Sequence, residues 1–185
     1  MSLKMRIGLI SDTHDKMQAH HMEALKKAFM GVDKILHAGD IYSSYVLDQL
    51  EEIAPVIAAK GNGDFITRDD RVSFTHTLNI EGFLIHLGHY FPFHDMELYI
   101  SSLKKPQDNE NGEFDAVLSE HIHLIMEAPD IIIFGHTHRA LVHKHEEVLL
   151  LNPGSPTVPF QRHLPGTAII LTIDNGKCST AIIQI

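Results

Sequence analysis

The chain has 185 residues, 44% of them hydrophobic and 21% charged, which excludes a disordered or low-complexity protein and fits one globular unit with a sizeable core. Acidic residues outnumber lysine and arginine by 24 to 15, and a formal charge of -9 with no basic block argues against a grip on DNA or RNA backbone. The lone cysteine, Cys178, forms no internal disulfide, no apolar run approaches the roughly 20 residues of a membrane span, and no secretory signal opens the chain, so a cytoplasmic protein is expected. The abnormal count is histidine, 15 residues of a side chain that serves as metal ligand and as acid or base near neutral pH.

In chain order, Arg6 to Ile10, Lys34 to Ala38 and Val56 to Ala59 read as short buried strands. Between them, His21 to Met30 puts Met22, Leu25, Phe29 and Met30 on one helical face, and Tyr45 to Ile53 does the same with Val46, Leu47, Leu50 and Ile53. Strand, helix, strand, helix, strand predicts parallel strands joined by right-handed crossovers, with the residues that follow each strand gathered along one sheet edge. Phe83 to Ile85 is a further apolar run, and residues 91–128 read as an insertion of two helices around the polar loop Pro106 to Gly112. Ile131 to Phe134 returns to the buried-strand pattern. Val142 to His145, Val148 to Leu151, Thr167 to Ile173 and Lys177 to Ile185 follow as strands, with Glu146-Glu147 and Asp174-Asn175-Gly176 as hairpin turns. No repeat and no linker interrupts the pattern, so one domain over 1–185 is expected, an α/β fold of two packed sheets flanked by helices.

Four of the apolar runs end alike, in a small residue and then a side chain able to bind a cation: Ser11-Asp12, Gly39-Asp40, Gly61-Asn62 and Gly135-His136. Glycine lets the backbone turn sharply as it leaves a strand, and four such exits on one sheet edge converge on one place. Asp12 is followed two residues later by His14, and His136 by His138. In an extended segment residues two apart point the same way, so each pair could grip one ion.

Each piece alone is an ordinary turn, but in this order, and closed by Gly-His-Thr-His at residues 135–138, the chain resembles the calcineurin-like metallophosphoesterase superfamily, and within it the small stand-alone phosphodiesterases of the YfcE type. The resemblance implies a four-layer α/β/β/α sandwich of two mixed sheets and a site for two divalent ions. One ion would take Asp12, His14, His138 and Asp40, the other Asp40, Asn62, His86 and His136, with Asp40 shared between them. His86 leaves the run Phe83 to Ile85 directly, as the other ligands leave theirs, and is preferred here; His89, three residues on, is the alternative. Two ions, two carboxylates and one hydroxide sum to +1, which attracts a phosphate ester, and neutral Asn62 preserves that charge. The implied reaction is hydrolysis of a small phosphate ester, a diester above all, by a hydroxide bridging the two ions, with no covalent enzyme intermediate. A nitrogen and oxygen ligand set without thiolate suits manganese first, with iron, zinc and nickel as alternatives.

The chain departs from the wider superfamily at Gly63, where protein phosphatases carry a histidine that protonates the leaving group. His89, His94 and His163 are the candidates to supply that proton, with His89, Asp40 and Asn62 as the predicted catalytic set. Asp64, which supports the missing histidine in such enzymes, reads here as a turn residue. Asn152-Pro153-Gly154-Ser155 matches a loop that lies beside the site in relatives. His121 and His123 fall in a predicted helix and diverge, and His143 and His145 share a strand face without a carboxylate, so neither pair is read as a metal site. His20, His21 and His76 belong to no constellation, His37 reads as a packed histidine before Gly39, and Arg162 as a loop arginine. The competing function is a non-catalytic protein-binding scaffold on the same fold, which the complete ligand series argues against. A small phosphate ester is thus the expected partner, with no membrane and no nucleic-acid polymer. The sequence leaves the oligomeric state open, a homo-oligomer included.

Overall fold

The computed structural model describes residues 4–65, 68–92, 119 and 129–185. Strand β1 (Met5–Ile10) alternates its faces, Ile7 and Leu9 to one side and Gly8 and Ile10 to the other, so both faces of its sheet are covered. Helix α1 (Ala19–Ala28), strand β2 (Lys34–His37), helix α2 (Ser44–Glu51) and strand β3 (Val56–Ala59) follow in the predicted order. The local chemistry fits these boundaries. Ser43 Oγ accepts from the Tyr45 N–H at the start of α2, and at the start of α1 the His21 Nδ1 accepts from the Gln18 N–H, which accounts for one of the many histidines.

Strands β1, β2 and β3 run parallel, as expected from the crossovers, and β10 (Thr167–Asp174) and β11 (Lys177–Gln184) extend the sheet antiparallel on the β1 side. The short β4 (Val72–Ser73) closes the other edge, giving the order β11-β10-β1-β2-β3-β4. The second sheet contains β5 (Thr75–Ile80), β6 (Phe83–Gly88), β7 (Ile131–Ile133), β8 (Ala140–His145) and β9 (Val148–Pro153) in the order β5-β6-β7-β9-β8. It too is mixed, with β6, β7 and β9 parallel and antiparallel strands at its edges.

Two apolar cores make the layers. Met22, Leu25, Phe29, Val46, Leu47 and Leu50 cover the face of the first sheet that presents Ile10, Ile35 and Ile170. Ile7, Leu9, Leu36, Ile169 and Leu171 meet Ile85, Leu87, Ile131, Ile133 and Leu151 between the sheets. This is the expected fold, two packed mixed sheets with helices outside. The helical insertion expected over 91–128, with the fourth layer it would supply, lies outside the described residues except at Phe91, Pro92 and Ser119. No described helix is long and apolar enough to cross a membrane.

Strands β4 and β5 were not expected from the sequence, because Val72-Ser73 is too short for a periodic signal and Thr75–Ile80 is mostly polar. Strand β6 also runs three residues beyond the apolar run Phe83 to Ile85, and that extension changes the site.

Candidate functional site

At the carboxyl ends of β1, β2 and β7 the chain turns by left-handed residues that are not glycine. Asp12, His14, Asp40, Tyr42, His136 and His138 have φ of 53°, 49°, 55°, 65°, 65° and 55°. For such side chains this conformation costs energy, and it persists where the surroundings over-determine it. It also corrects the expectation that Asp12 and His14 converge because their segment is extended. They converge because the chain coils.

What over-determines the loops is a lattice of short hydrogen bonds. The Asp12 N–H donates to the Gly39 carbonyl and the His14 N–H to the Asp40 carbonyl, both at 2.9 Å, so the loop after β1 is sewn to the loop after β2. Ser155 Oγ donates to the Asp12 carbonyl at 2.7 Å and Thr157 Oγ1 to the Thr13 carbonyl at 2.9 Å. Asn152 Nδ2 donates to the Gly135 carbonyl at 2.7 Å, and Ser11 Oγ to the Gly154 carbonyl at 2.7 Å. The Asn152 to Ser155 segment therefore does lie beside the site, as the backing that holds two ligand loops.

Asp64 is more than a turn residue. Buried, it accepts from the N–H groups of Ile41 (2.6 Å) and Tyr42 (2.7 Å) through Oδ1 and of Gly61 (2.7 Å) through Oδ2. His37 is the packed histidine expected, with a specific task. Its Nδ1 accepts from the Gly39 N–H at 3.1 Å, so the proton sits on Nε2 and is donated to Thr13 Oγ1, also at 3.1 Å. Burial holds the His37 pKa down to about 3, so this ring stays neutral.

Two groups of cation-binding atoms result: Asp12 with His14 and His138, and Asp12 with Asp40 and His89, each with its ligand atoms within 4.8 Å of one another. Asn62 and His136 complete the second group, since Asn62 Oδ1 lies 3.0 Å from His89 Nε2 and 3.0 Å from His136 Nδ1. Asp12 is common to both groups, the position the sequence reading gave to Asp40. The two oxygens of Asp40 also face both ways, Oδ2 toward His14 Nε2 at 3.8 Å and Oδ1 toward His89 Nε2 at 3.6 Å.

Of the two histidines weighed at the end of β6, His86 lies in neither group of cation-binding atoms and His89 lies in the second. His86 pairs with Thr77 and Ile132 inside the sheet, and by alternation it points away from the inter-sheet face of Ile85 and Leu87. Because the strand continues through Leu87 and Gly88, the side chain that leaves its end is His89, fully enclosed and packed where a Cβ on Gly39 (φ 89°) would come within 2.7 Å of its Nδ1. Of the remaining histidines, His76 bonds the Ala58 carbonyl at 2.8 Å and His145 meets Ser119 Oγ at 3.2 Å. His163 and Arg162 are exposed and belong to neither group, and His94, His121 and His123 lie outside the described residues.

The donor set fits divalent cations on its own chemistry. His89 Nδ1–H donates to the Ala38 carbonyl at 2.8 Å and His138 Nδ1–H to the Val158 carbonyl at 2.7 Å, which leaves both Nε2 atoms as acceptors in the neutral rings, with His136 Nδ1 3.3 Å from that of His89 and His14 Nε2 3.1 Å from that of His138. In that neutral form His89 Nε2 also faces Asn62 Oδ1, a second acceptor, at 3.0 Å. Burial lowers the pKa of both rings, so neutral imidazole is the favoured form. Asp12 carries the complementary signature: burial, with the charges of Asp40 and Asp64 adding to it, pushes its carboxyl well above the usual range. Among the described residues the ion-pair partners of Asp12 and Asp40 are histidines only, so buried negative charge and imidazole acceptors share a centre that a cation would satisfy.

Residues 5–176 match the calcineurin-like phosphoesterase superfamily domain, and the chain belongs to that family. It is 36% identical over 183 residues to a probable metallophosphoesterase of Methanothermobacter thermautotrophicus, covering 97% of this chain and 92% of that one. It is 29% identical over 156 residues to a phosphodiesterase of Methanocaldococcus jannaschii, covering 81% and 83%. Among solved structures, vacuolar protein sorting 29 of Cryptosporidium parvum superposes with a TM-score of 0.64 at 19% identity over 98% of both chains, a likeness of fold.

Proposed function

We propose that this protein is a metal-dependent phosphodiesterase that hydrolyses a small phosphate ester. The observation that carries the reading is the gathering of His89 Nε2 and Asn62 Oδ1, 3.0 Å apart, beside the buried carboxylates Asp12 and Asp40. Asp12, His14 and His138 would hold one cation and Asp40, Asn62, His89 and His136 a second, with Asp12 or Asp40 shared. His89 replaces His86 in that set. When bound, the two cations supply Lewis acidity, a water of lowered pKa and stabilisation of the charge that builds on phosphorus. The donors are nitrogen and oxygen, which suits manganese or iron ahead of tetrahedral zinc.

The residues of the chain do the positioning. Thr13, fixed by His37, and the Gly39 and Asp40 carbonyls set the distance between the two loops that carry Asp12, His14 and Asp40. The Gly63 N–H donates to Asp40 Oδ1 at 2.7 Å, which orients that carboxylate. Neither Asn62 nor the histidines bring negative charge, so an anionic ester is not repelled.

The test is an assay after chelation and reloading with manganese, iron or zinc, using aryl phosphodiesters, phosphomonoesters and cyclic nucleotides. Metal-dependent turnover with a preference for diesters is expected. The likeness to vacuolar protein sorting 29 favours one competing reading, a protein-binding scaffold. Absence of turnover with every ester in protein carrying two bound ions would select it.

A further inference from the structure

Gly63 is closed from an unexpected direction. A Cβ there would fall 2.2 Å from Tyr42 Cε2, 2.4 Å from Cζ and 2.6 Å from the hydroxyl oxygen, so the space of a residue-63 side chain is filled by the Tyr42 ring. The backbone that carries the ring is held in place. Tyr42 has φ 65°, unusual for a bulky residue, and its N–H donates to Oδ1 of Asp64, whose other contacts fix the neighbouring Ile41 and Gly61. The ring lies 4.8 Å from the His14 ring at a tilt of 31°, yet Tyr42 remains 38% exposed. On the other flank Tyr90, 47% exposed, lies 4.8 Å from the His136 ring and 5.1 Å from the His89 ring.

We propose that Tyr42 and Tyr90 determine substrate specificity by receiving the organic groups of the ester, which are flat aromatic or heteroaromatic rings. This rests on the phosphodiesterase reading of the same site. Two phenol rings stand against the ligands of the two cation groups, one on each flank, and both keep part of their surface in water. A phosphate at the ligand cluster would hold its substituents beside these rings. An aromatic substituent gains stacking and sheds water there, whereas a short alkyl group gains little. The Tyr42 ring takes the space that a side chain at residue 63 would use.

The experiment is steady-state kinetics on the full chain loaded with manganese. The substrate is bis(4-nitrophenyl) phosphate, and the inhibition constant of inorganic phosphate, which has no organic group, is measured beside it. Tyr42→Ala is expected to raise KM about tenfold with kcat changed less than about threefold, to leave the phosphate constant and the metal content unchanged, and Tyr42→Phe to restore wild-type KM. Tyr42→Leu, which fills the space without an aromatic face, serves if the alanine variant does not fold, and should behave as expected of alanine. The proposal is overturned if KM does not move, if Tyr42→Phe loses as much as Tyr42→Leu, or if phosphate inhibition and metal content shift together with KM. A wild-type protein with two ions and no turnover overturns the phosphodiesterase reading itself, whereas an active wild type whose KM is unaffected by both Tyr42→Ala and Tyr90→Ala overturns only the role of the tyrosines.

Discussion

The two ends of this molecule use the same uncommon backbone conformation for opposite purposes. At the hairpins, Glu81, Glu146 and Asn175 have φ of 49°, 49° and 50°, and Gly82 and Gly176 beside two of them would meet nothing if given a Cβ. There the left-handed residue only reverses the chain, next to water, and any side chain of suitable preference would serve. At the strand exits of the site the same conformation occurs at six polar or aromatic residues that the sequence pins with side-chain and backbone hydrogen bonds. The difference teaches what the conformation is for: it turns a chain cheaply at a hairpin, and at the site it aims side chains that would prefer another backbone.

The largest effect should come from neutralising the buried charge of the site while keeping its shape. Asp12→Asn preserves an acceptor for the His136 N–H, now 3.1 Å from Oδ2, and asparagine tolerates a left-handed backbone. Metal-dependent kcat/KM is expected to fall at least about a thousandfold, several kcal/mol of transition-state stabilisation. In chelator, however, the urea midpoint should hold or rise, because burial disfavours the Asp12 charge. A variant that loses stability in chelator as well as activity would show that the site loops are a structural device like the hairpins.

A smaller contrast separates His89 from His86. His89→Gln should cost about a hundredfold in activity and weaken metal binding, since the Nε2 lone pair faces Asn62 and Asp40. His86→Gln, on the opposite face of β6, should change activity less than about threefold. Equal losses would mean that both histidines serve the cluster.

These two residues also show how far sequence reading reaches. The exits of β1, β2, β3 and β7 were legible because an apolar run, a small residue and a polar one coincide with the true strand end. In β6 the apolar run stops at Ile85, while the strand is carried on by its pairing with β5 and β7 through Gly88. Partner strands, absent from a local pattern, set the end. Tyr42, Asp64 and the Thr13 to His37 bond were illegible for a related reason: each acts across loops far apart in sequence, and a tyrosine two residues after Gly-Asp carries no local mark. The layered fold was readable from its periodicities, whereas β4 and β5 were not.

His37 offers the next test, in stability. A histidine kept neutral when folded and free to protonate when unfolded contributes stability that is complete above its ordinary pKa of 6.5 and is lost as pH falls toward about 3. Between pH 7.5 and pH 5 this one ring should account for roughly 2 kcal/mol of the loss in metal-free protein. His37→Gln, which cannot titrate, should flatten the pH dependence of the unfolding free energy by about that amount, whatever it does to stability at pH 7.5. Parallel pH curves for the two proteins would mean that His37 is not held neutral by the fold.

The smallest effect belongs to the hairpins, and it completes the contrast. Asn175-Gly176 has the residues that a two-residue turn with both φ positive prefers, whereas at Glu81-Gly82 a glutamate occupies the asparagine position with almost the same φ, 49° against 50°. Glu81 is exposed and far in character from the site, so Glu81→Asn changes little except the intrinsic cost of the left-handed backbone. It should raise the unfolding free energy by about 0.5 kcal/mol, and Asn175→Glu should lower it by a similar amount, both read from urea midpoints at unchanged m-value. Neither should move kcat/KM. Were Glu81→Asn to stabilise nothing while Asn175→Glu destabilises, the first turn would owe its geometry to the pairing of β5 with β6 rather than to its own residues. The left-handed conformation would then be imposed by tertiary structure at the hairpin as it is at the site, and the distinction between the two ends would narrow to what their side chains face.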